Sequence, residues 1–424
     1  MTMVIGTGKY TTRICSVLKV SWTTNLTGGM WVFLILACLI QQTTNSEDSF
    51  SRRHLNPEGF MTIPEITQYW GYPSEEYQVL TDDGYYLQLN RIPYGKHCPQ
   101  HKGPRPAVLL VHGLLQEGRC WIANLPSNSL GFFLVDAGYD VWLINLRGTT
   151  WSRRHKEFSI DQQKFWNFSF HEMAIYDIPT TINFILHKTK QDSLYYVGHS
   201  QGAGIGFVAF SVLPCLTNRV KLFISLTPTY TLKGITGTFG VLGRIPDRFR
   251  ELIWGTKEYS LFSEKVKTSM IHACSYPGID RLCLNNIFLA GGFNKKNLNV
   301  SRADVFAGIF PDFSSVKNMN HWSQVILSGE FKYYDYGHRN REIYNTTIPP
   351  LYKIEDVRVP VAIWSGGKDI ATKRRNIESL ITRITYLVFY TDIPDWQHFD
   401  PIFGLDGVQR CYPNILELMQ KHKH

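Results

Sequence analysis

"YYVGHSQGAGIGF", Tyr195 to Phe207, runs from an apolar aromatic stretch through Gly-x-Ser-x-Gly into a run of small and apolar residues. The first part reads as a strand buried on both faces and the last part as a helix. A serine between them has a chemical reading. Its hydroxyl is a poor nucleophile unless a base removes the proton and the side chain stands clear of the backbone. A sharp strand-to-helix turn projects Ser200 in this way, and Gly198 and Gly202 lack the β-carbons that would collide in so tight a corner. With 33 glycines in 424 residues the string alone proves little. Position decides, because an accidental match rarely follows a buried strand and opens a helix; the alternative is a glycine turn without chemistry.

Working outward, the same alternation recurs. "AVLLVHG" (107–113), "DVWLINLRG" (140–148) and "VKLFISLTP" (220–228) are apolar, β-branched runs with the character of buried strands. "LGFFLVDAGY" (130–139), "FHEMAIYDIPTTINFILHKT" (170–189) and "GIGFVAFSVL" (204–213) read as helices, the second kinked or restarted at its proline. Strands alternating with helices predict right-handed crossovers and an α/β fold: a mostly parallel central sheet with helices on both faces. The alternation stops near Thr229 and resumes with "VPVAIWSGGKD" (359–369), a helix near "TKRRNIESLIT" and "ITYLVFYTDIPDWQHFD" (384–400). The division expected is therefore a core over 56–228 and 354–424, interrupted by a largely helical insertion over 229–353.

A serine nucleophile needs a base, an acid that orients the base, and an oxyanion hole. One oxyanion amide is expected from Gln201, the residue after the serine, and the other from Leu114, because "LLVHGLLQ" ends an earlier strand and His112-Gly113 opens its backbone. His112 itself reads as a structural loop residue. The acid is expected just past a strand end, where "VAIWSGGKD" places Asp369; its other reading is a cap for the following helix. Asp356 precedes its strand, and Asp392, Asp395 and Asp400 lie too near the base in sequence. The base is expected late in the chain, and "DIPDWQHFDP" supplies His398, whereas His422 and His424 lie in a polar tail. No P-loop, dinucleotide fingerprint, His-Glu-x-x-His or Cys-x-x-Cys is present, so nucleotide, nicotinamide and zinc chemistry lack motifs, and neither metal nor organic cofactor is expected.

Composition bounds the setting. A chain 19% charged and 44% hydrophobic has ordinary globular chemistry, which excludes disordered and fibrous classes. The net charge of +9 is scattered, apart from runs such as "WSRRHK", so it argues for no nucleic acid and is equally compatible with anionic lipid. "MWVFLILACLI" (30–40) is too short to span a membrane and follows Lys9, Arg13 and Lys19, the pattern of a secretory signal over 1–46 cleaved near Ser46, with an uncleaved anchor as alternative. No transmembrane segment is then expected in the mature chain. Asn25, Asn167, Asn299 and Asn345 begin glycosylation sequons, the first lost with the signal. Of eight cysteines, Cys15 and Cys38 fall in the signal region; Cys274 and Cys283 flank the loop "CSYPGIDRLC" and are the pair expected to bridge in an oxidising compartment, two unpaired thiols being the alternative.

These residues carry a resemblance. "NPEGFMTIPEITQYWGYPSEEYQVLTDDGYYLQLNRIPYG", "NLRGTTWSRRHKEFS", "YYVGHSQG", "GGFNKKNLNVSRADVF", "HWSQVILSGEFKYYDYG" and "IPDWQHFDPIFGLDGVQR" are similar to the acid lipases, the gastric and lysosomal acid lipase group, and within it to the lipase member M subgroup. The resemblance covers almost everything after Asn56. It implies an α/β-hydrolase core, a cap carrying a lid, and hydrolysis of triacylglycerols or cholesteryl esters at a lipid–water interface. It puts the triad on Ser200, Asp369 and His398, the oxyanion donors on Leu114 and Gln201, and a cap disulfide on Cys274 and Cys283. Arg119, Cys120, Ala290 and Pro401 depart from the family pattern, and none of them removes a catalytic part. A lipase site must be dry yet admit an apolar chain, and "TFGVLGRIPDRFRELIWG" (238–255) has the composition of a movable lid, or simply of cap core. A soluble carboxylesterase or acyltransferase, and an inactive lipid-binding relative, are the rival readings; a secreted or lumenal protein, lysosomal delivery included, is the expected location.

Overall fold

A computed structural model describes residues 55–96, 103, 105–292 and 294–423. The expected signal over 1–46, with Asn25, Cys15 and Cys38, lies outside the described residues, as does His424. A nine-stranded sheet forms the centre, in the order β1 (Glu75–Leu80), β2 (Tyr85–Ile92), β4 (Asp140–Ile144), β3 (Ala107–Val111), β6 (Leu194–His199), β7 (Val220–Leu226), β10 (Val361–Gly366), β11 (Leu387–Ile393), with the short β5 (Arg154–His155) beside β2. From β4 to β11 neighbours run parallel. Strands β3, β4, β6 and β10 are buried at every position, which is why their sequences are predominantly apolar without alternation, polar residues such as Asp140, His199 and Ser365 standing at or near their ends.

The antiparallel end was not read from the sequence. "EEYQVL" and "YYLQLNRI" pair as a hairpin from Glu75↔Arg91 to Leu80↔Tyr86, joined by a turn with Gly84 at φ +98°. Only one face of β1 is sheltered, so its polar residues broke the apolar signal that marks the central strands.

Helices cover both faces. The helix α1 (Ile63–Tyr69) opens with a capping box, Thr62 receiving the Glu65 amide and the Glu65 carboxylate receiving that of Thr62. Next come α2 (Leu130–Asp136), α3 (Ile178–Thr189) and α4 (Gln201–Val212). The predicted helix over 170–189 is interrupted as expected: a π-helical turn at Met173–Asp177 precedes Pro179, and α3 restarts there.

Between 229 and 353 no strand joins the large sheet among the described residues. This stretch contributes α5 (Gly237–Gly243), α6 (Asp247–Trp254), α7 (Glu264–Cys274), α8 (Ile279–Gly291), α9 (Ala303–Ile309) and α10 (Val316–Ser328), with a separate two-stranded pairing of β8 (Glu258–Tyr259) and β9 (Ser314–Ser315). Cys274 and Cys283 form a disulfide linking α7 to α8. The helix α11 (Arg374–Ile381) then connects β10 to β11, and α12 (Tyr412–Lys421) closes the described chain.

This order fixes where a site can form. From β3 the chain moves outward to β4 on one side, and β6 returns on the other. At such a reversal the strand ends splay and leave a crevice at the carboxyl edge of the sheet. Ser200 follows the last residue of β6.

Candidate active site

Ser200 occupies φ +53°, ψ −118°, a left-handed strained conformation between β6 and α4. The corner closes only because two neighbours are glycine. A β-carbon on Gly198 would stand 2.6 Å from the Gly202 carbonyl oxygen, and one on Gly202 would stand 2.2 Å from that of Val111. The helix start therefore lies directly against the end of β3, and the loop after β3 comes beside the serine.

The three residues expected as a triad meet. His398 Nε2 lies 2.7 Å from Ser200 Oγ, and His398 Nδ1 lies 2.8 Å from Asp369 Oδ2. A carboxylate only accepts, so the Nδ1–H donates to Asp369 and Nε2 is left to accept the serine proton. All three side chains are buried, Ser200 at 6% exposure being the most open. Asp369 follows the end of β10, and its second oxygen accepts from the Ala371 and Thr372 amides at 2.7 and 2.8 Å. Asp369 does not cap α11, whose N-cap is Lys373 without a side-chain bond; one of its oxygens holds the turn that leads to α11 and the other faces the imidazole.

The rival acids are elsewhere. Asp356 is exposed, Asp392 accepts from Ser365, and Asp395 pairs with Arg410. Asp400 is buried beneath the His398 loop, where the Gln397 amide and the Asn294 and Asn297 side chains donate to it, and burial pushes its carboxyl up to about 6. The His422 ring bonds the Leu418 carbonyl through Nδ1, away from Ser200 and Asp369. His112 behaves as the loop residue expected of it: Nε2 accepts the Leu146 amide, Nδ1–H donates to the Gly113 carbonyl, and burial pulls the imidazole down to about 4. It staples the loop after β3 to the chain just beyond β4.

Leu114 and Gln201 both line the cleft that contains Ser200 and His398. Gln201 is the first residue of α4, so its amide is among the helix's opening N–H groups without an intrahelical acceptor. Beside Leu114, Leu115 takes φ +55°, which bends the loop. Apart from Thr229 the rest of the cleft is largely apolar, with Leu232, Ile235, Phe239, Met319 and Ile326 in its walls. Such a lining suits a hydrocarbon chain and keeps water from the serine.

Sequence reasoning passed over three supporting residues. Thr372 Oγ1 donates to Asp369 Oδ2; its place three residues after the acid was the available signal. His199 Nε2–H donates to the His398 carbonyl, and Nδ1 lies 3.0 Å from the Gln116 side chain, whose oxygen receives the Gly113 amide. Burial holds the His199 imidazole well below its usual range. Neither His199 nor Gln116 belongs to any spacing pattern that announces such a link.

Of the sequons, Asn167 and Asn345 are exposed, and Asn299 is half-buried, its Oδ1 capping a short helical turn. Arg119 pairs with Glu117 and donates to the Met61 and Gly308 carbonyls; Cys120 is buried with a free thiol. No helix among the described residues is long and apolar enough to cross a membrane.

Two family descriptions match the chain: a partial alpha/beta-hydrolase lipase region over residues 63–125 and the alpha/beta hydrolase fold over 106–405. The chain is 46% identical to the human lysosomal acid lipase/cholesteryl ester hydrolase, the match covering 92% of this chain and 98% of that one. It is 43% identical to mouse lipase member M, covering 94% and 95%. Among solved structures, a soluble variant of monoglyceride lipase from Saccharomyces cerevisiae superposes with a TM-score of 0.50 at 15% identity, over 83% of this chain and 94% of that one.

Proposed function

The chain belongs to the acid lipase family of α/β hydrolases, and from that membership we propose that it hydrolyses carboxylic esters of neutral lipids, triacylglycerols and cholesteryl esters, through Ser200, His398 and Asp369. The observation that carries the proposal is the hydrogen-bonded chain Ser200–His398–Asp369 opening into an apolar cleft. Ser200 Oγ attacks the ester carbonyl carbon while His398 Nε2 takes its proton, and Asp369 stabilises the imidazolium that forms. The Leu114 and Gln201 amides receive the developing oxyanion. His398 then gives its proton to the leaving alcohol, and an acyl-enzyme remains on Ser200. Water, deprotonated by the same imidazole, releases the fatty acid.

The division of labour follows. Residues 56–228 and 354–424 form the hydrolase core, and 229–353 the cap. Its lid is assigned to α5 and α6: Phe239 and Gly243 face the cleft, while Val241, Phe249, Leu252 and Ile253 are exposed, an apolar surface suited to a lipid–water interface. The chain is secreted or lumenal, entering through a signal at 1–46, with Asn167, Asn299 and Asn345 as glycan acceptors; the disulfide fits an oxidising compartment. No cofactor or nucleic acid enters this reading.

The test is Ser200→Ala in the full chain, with circular dichroism unchanged. Hydrolysis of emulsified long-chain triacylglycerol and of a soluble short-chain ester should both vanish. Retained hydrolysis of either would overturn the triad assignment, and a parent enzyme active on the soluble ester alone would overturn the lipid substrate.

A further inference from the structure

The two backbone amides assigned to the oxyanion hole lie far apart in sequence, yet one stretch of the insertion grips both neighbourhoods. On one side, Leu115 is held at φ +55°, a conformation that branched side chains resist, and its carbonyl accepts the Asp312 amide at 2.7 Å. Asp312 is itself anchored in every direction. Its carboxylate accepts from the Thr150 amide and hydroxyl at 2.9 and 2.5 Å and from Lys267 Nζ at 2.9 Å, and it is 1% exposed. A second strut runs parallel, from Arg119 to the Gly308 carbonyl at 3.0 Å.

On the other side, the Gln201 side-chain oxygen accepts from Trp322 Nε1 at 2.7 Å and from Asn318 Nδ2 at 2.9 Å. Asn318 is in turn fixed by the Phe170 amide, which donates to its oxygen at 2.8 Å. Trp322, Asn318 and Gln201 are all buried. Buried polar groups satisfied in a closed network rigidify what they join.

We propose that Asp312 is a positioning residue of the oxyanion hole, and that the segment from Asp312 to Trp322 is a fixed frame setting the Leu114 and Gln201 amides at their working separation. The inference rests on the reading of those two amides as oxyanion donors. It gives this part of the cap a role in the chemical step, separate from shaping the cleft or covering it. Loss of the anchor lets the loop after β3 relax from its strained turn, so the Leu114 amide drifts from the place where the oxyanion forms, and displacements of about 1 Å cost on the order of a hundredfold in rate.

The experiment compares the parent enzyme with Asp312→Ala, Asp312→Asn, Thr150→Val and Trp322→Phe on a soluble short-chain ester, so that no interface is involved. The readouts are kcat, KM, the inhibition constant of an alkyl boronic acid, which forms a tetrahedral adduct with a catalytic serine, and the melting temperature. Asp312→Ala should lower kcat about ten- to a hundredfold with KM changed less than about threefold, and should weaken the boronic acid in proportion. Asp312→Asn should recover part of the loss, and Thr150→Val and Trp322→Phe should show smaller losses of the same pattern. If Asp312→Ala fails to fold, the last two variants carry the test. Variants that melt earlier but keep kcat and boronic acid affinity would show a merely structural role and overturn the proposal. Ser200→Ala, run beside them, separates the cases: activity surviving there sinks the underlying reading, whereas an inactive Ser200→Ala with fully active frame variants sinks this inference alone.

Discussion

Thr372 donates its hydroxyl to the same Asp369 oxygen that receives the His398 Nδ1–H, at 2.6 Å against 2.8 Å. That oxygen is thereby held by a second donor, and the Ala371 and Thr372 amides hold its partner. Thr372→Val keeps the shape and both amides but removes the hydroxyl. Hydrogen bonds to charged groups contribute about 1.5–3 kcal/mol; the remaining donors retain part of the orientation, so kcat should fall roughly three- to tenfold with KM unchanged. Steady-state kinetics on a soluble ester decides, and an unaltered kcat would remove Thr372 from the account.

The corner at Ser200 makes a sharper demand. Gly202→Ala places a methyl 2.2 Å from the Val111 carbonyl oxygen, a backbone atom that cannot swing aside. Either β3 or the start of α4 must move, and overpacking of this kind costs typically 1–3 kcal/mol. The variant should melt measurably below the parent and lose most activity, because the same shift displaces Ser200 and Gln201. A variant with parental melting and turnover would show that the corner is looser than its geometry implies.

The strands that hold this corner were legible because burial on both faces removes the polar half of the pattern: β3, β6, β7 and β10 read as apolar runs, and each was found where expected. The residues brought together from them were legible for a different reason, since a serine elbow requires an acid past a later strand and a base after that. The edge hairpin was not, because β1 alternates at the sheet margin and polar residues interrupt it. Contacts such as Asp312 to Leu115 and Trp322 to Gln201 cross the chain over more than a hundred residues. Nothing in local composition records them; they arise only when the insertion folds back over the sheet.

The insertion also carries a clasp between two of its helices. Arg250 on α6 is buried and donates to the Asn320 side chain on α10 and to the Leu242 and Ile245 carbonyls. Its neighbours Leu252 and Ile253 are exposed, Leu252 at 81%. Leu252→Asp with Ile253→Asp should leave soluble-ester turnover within about twofold while hydrolysis of emulsified triacylglycerol falls tenfold or more, since charges replace the exposed apolar surface proposed to meet lipid. Equal losses on both substrates would assign these residues to folding instead.

Removing the disulfide tests whether that insertion is stabilised separately from the triad. Cys274 and Cys283 are nine positions apart, a loop whose closure is worth roughly 2–3 kcal/mol in the chain-entropy account. The double serine variant should lower the melting temperature while turnover of the soluble ester at low temperature stays near parental. Loss of the triad's activity under conditions where the protein remains folded would show instead that α7 and α8 bear on the site.

Asp400 ties stability to pH in a direction opposite to most carboxylates. Burial raises its carboxyl from 3.8 to about 6, the Asn294, Gln397 and Asn297 donors offsetting only part of that, and Asp406 adds to it. A carboxyl raised on folding holds its proton more tightly in the native state, so between about pH 4 and 6 unfolding releases a proton and stability falls as pH rises. Its contribution is most favourable below the unfolded value and is lost by about pH 7; between pH 4.5 and 7.5 the change amounts to about 2 kcal/mol. Asp400→Asn removes the titration whatever it does to absolute stability. Denaturant unfolding of both proteins at the two pH values should therefore show the parent losing about 2 kcal/mol more than the variant on going to the higher pH. Parallel pH profiles would mean that the three donors, and not burial, set the protonation of this carboxyl.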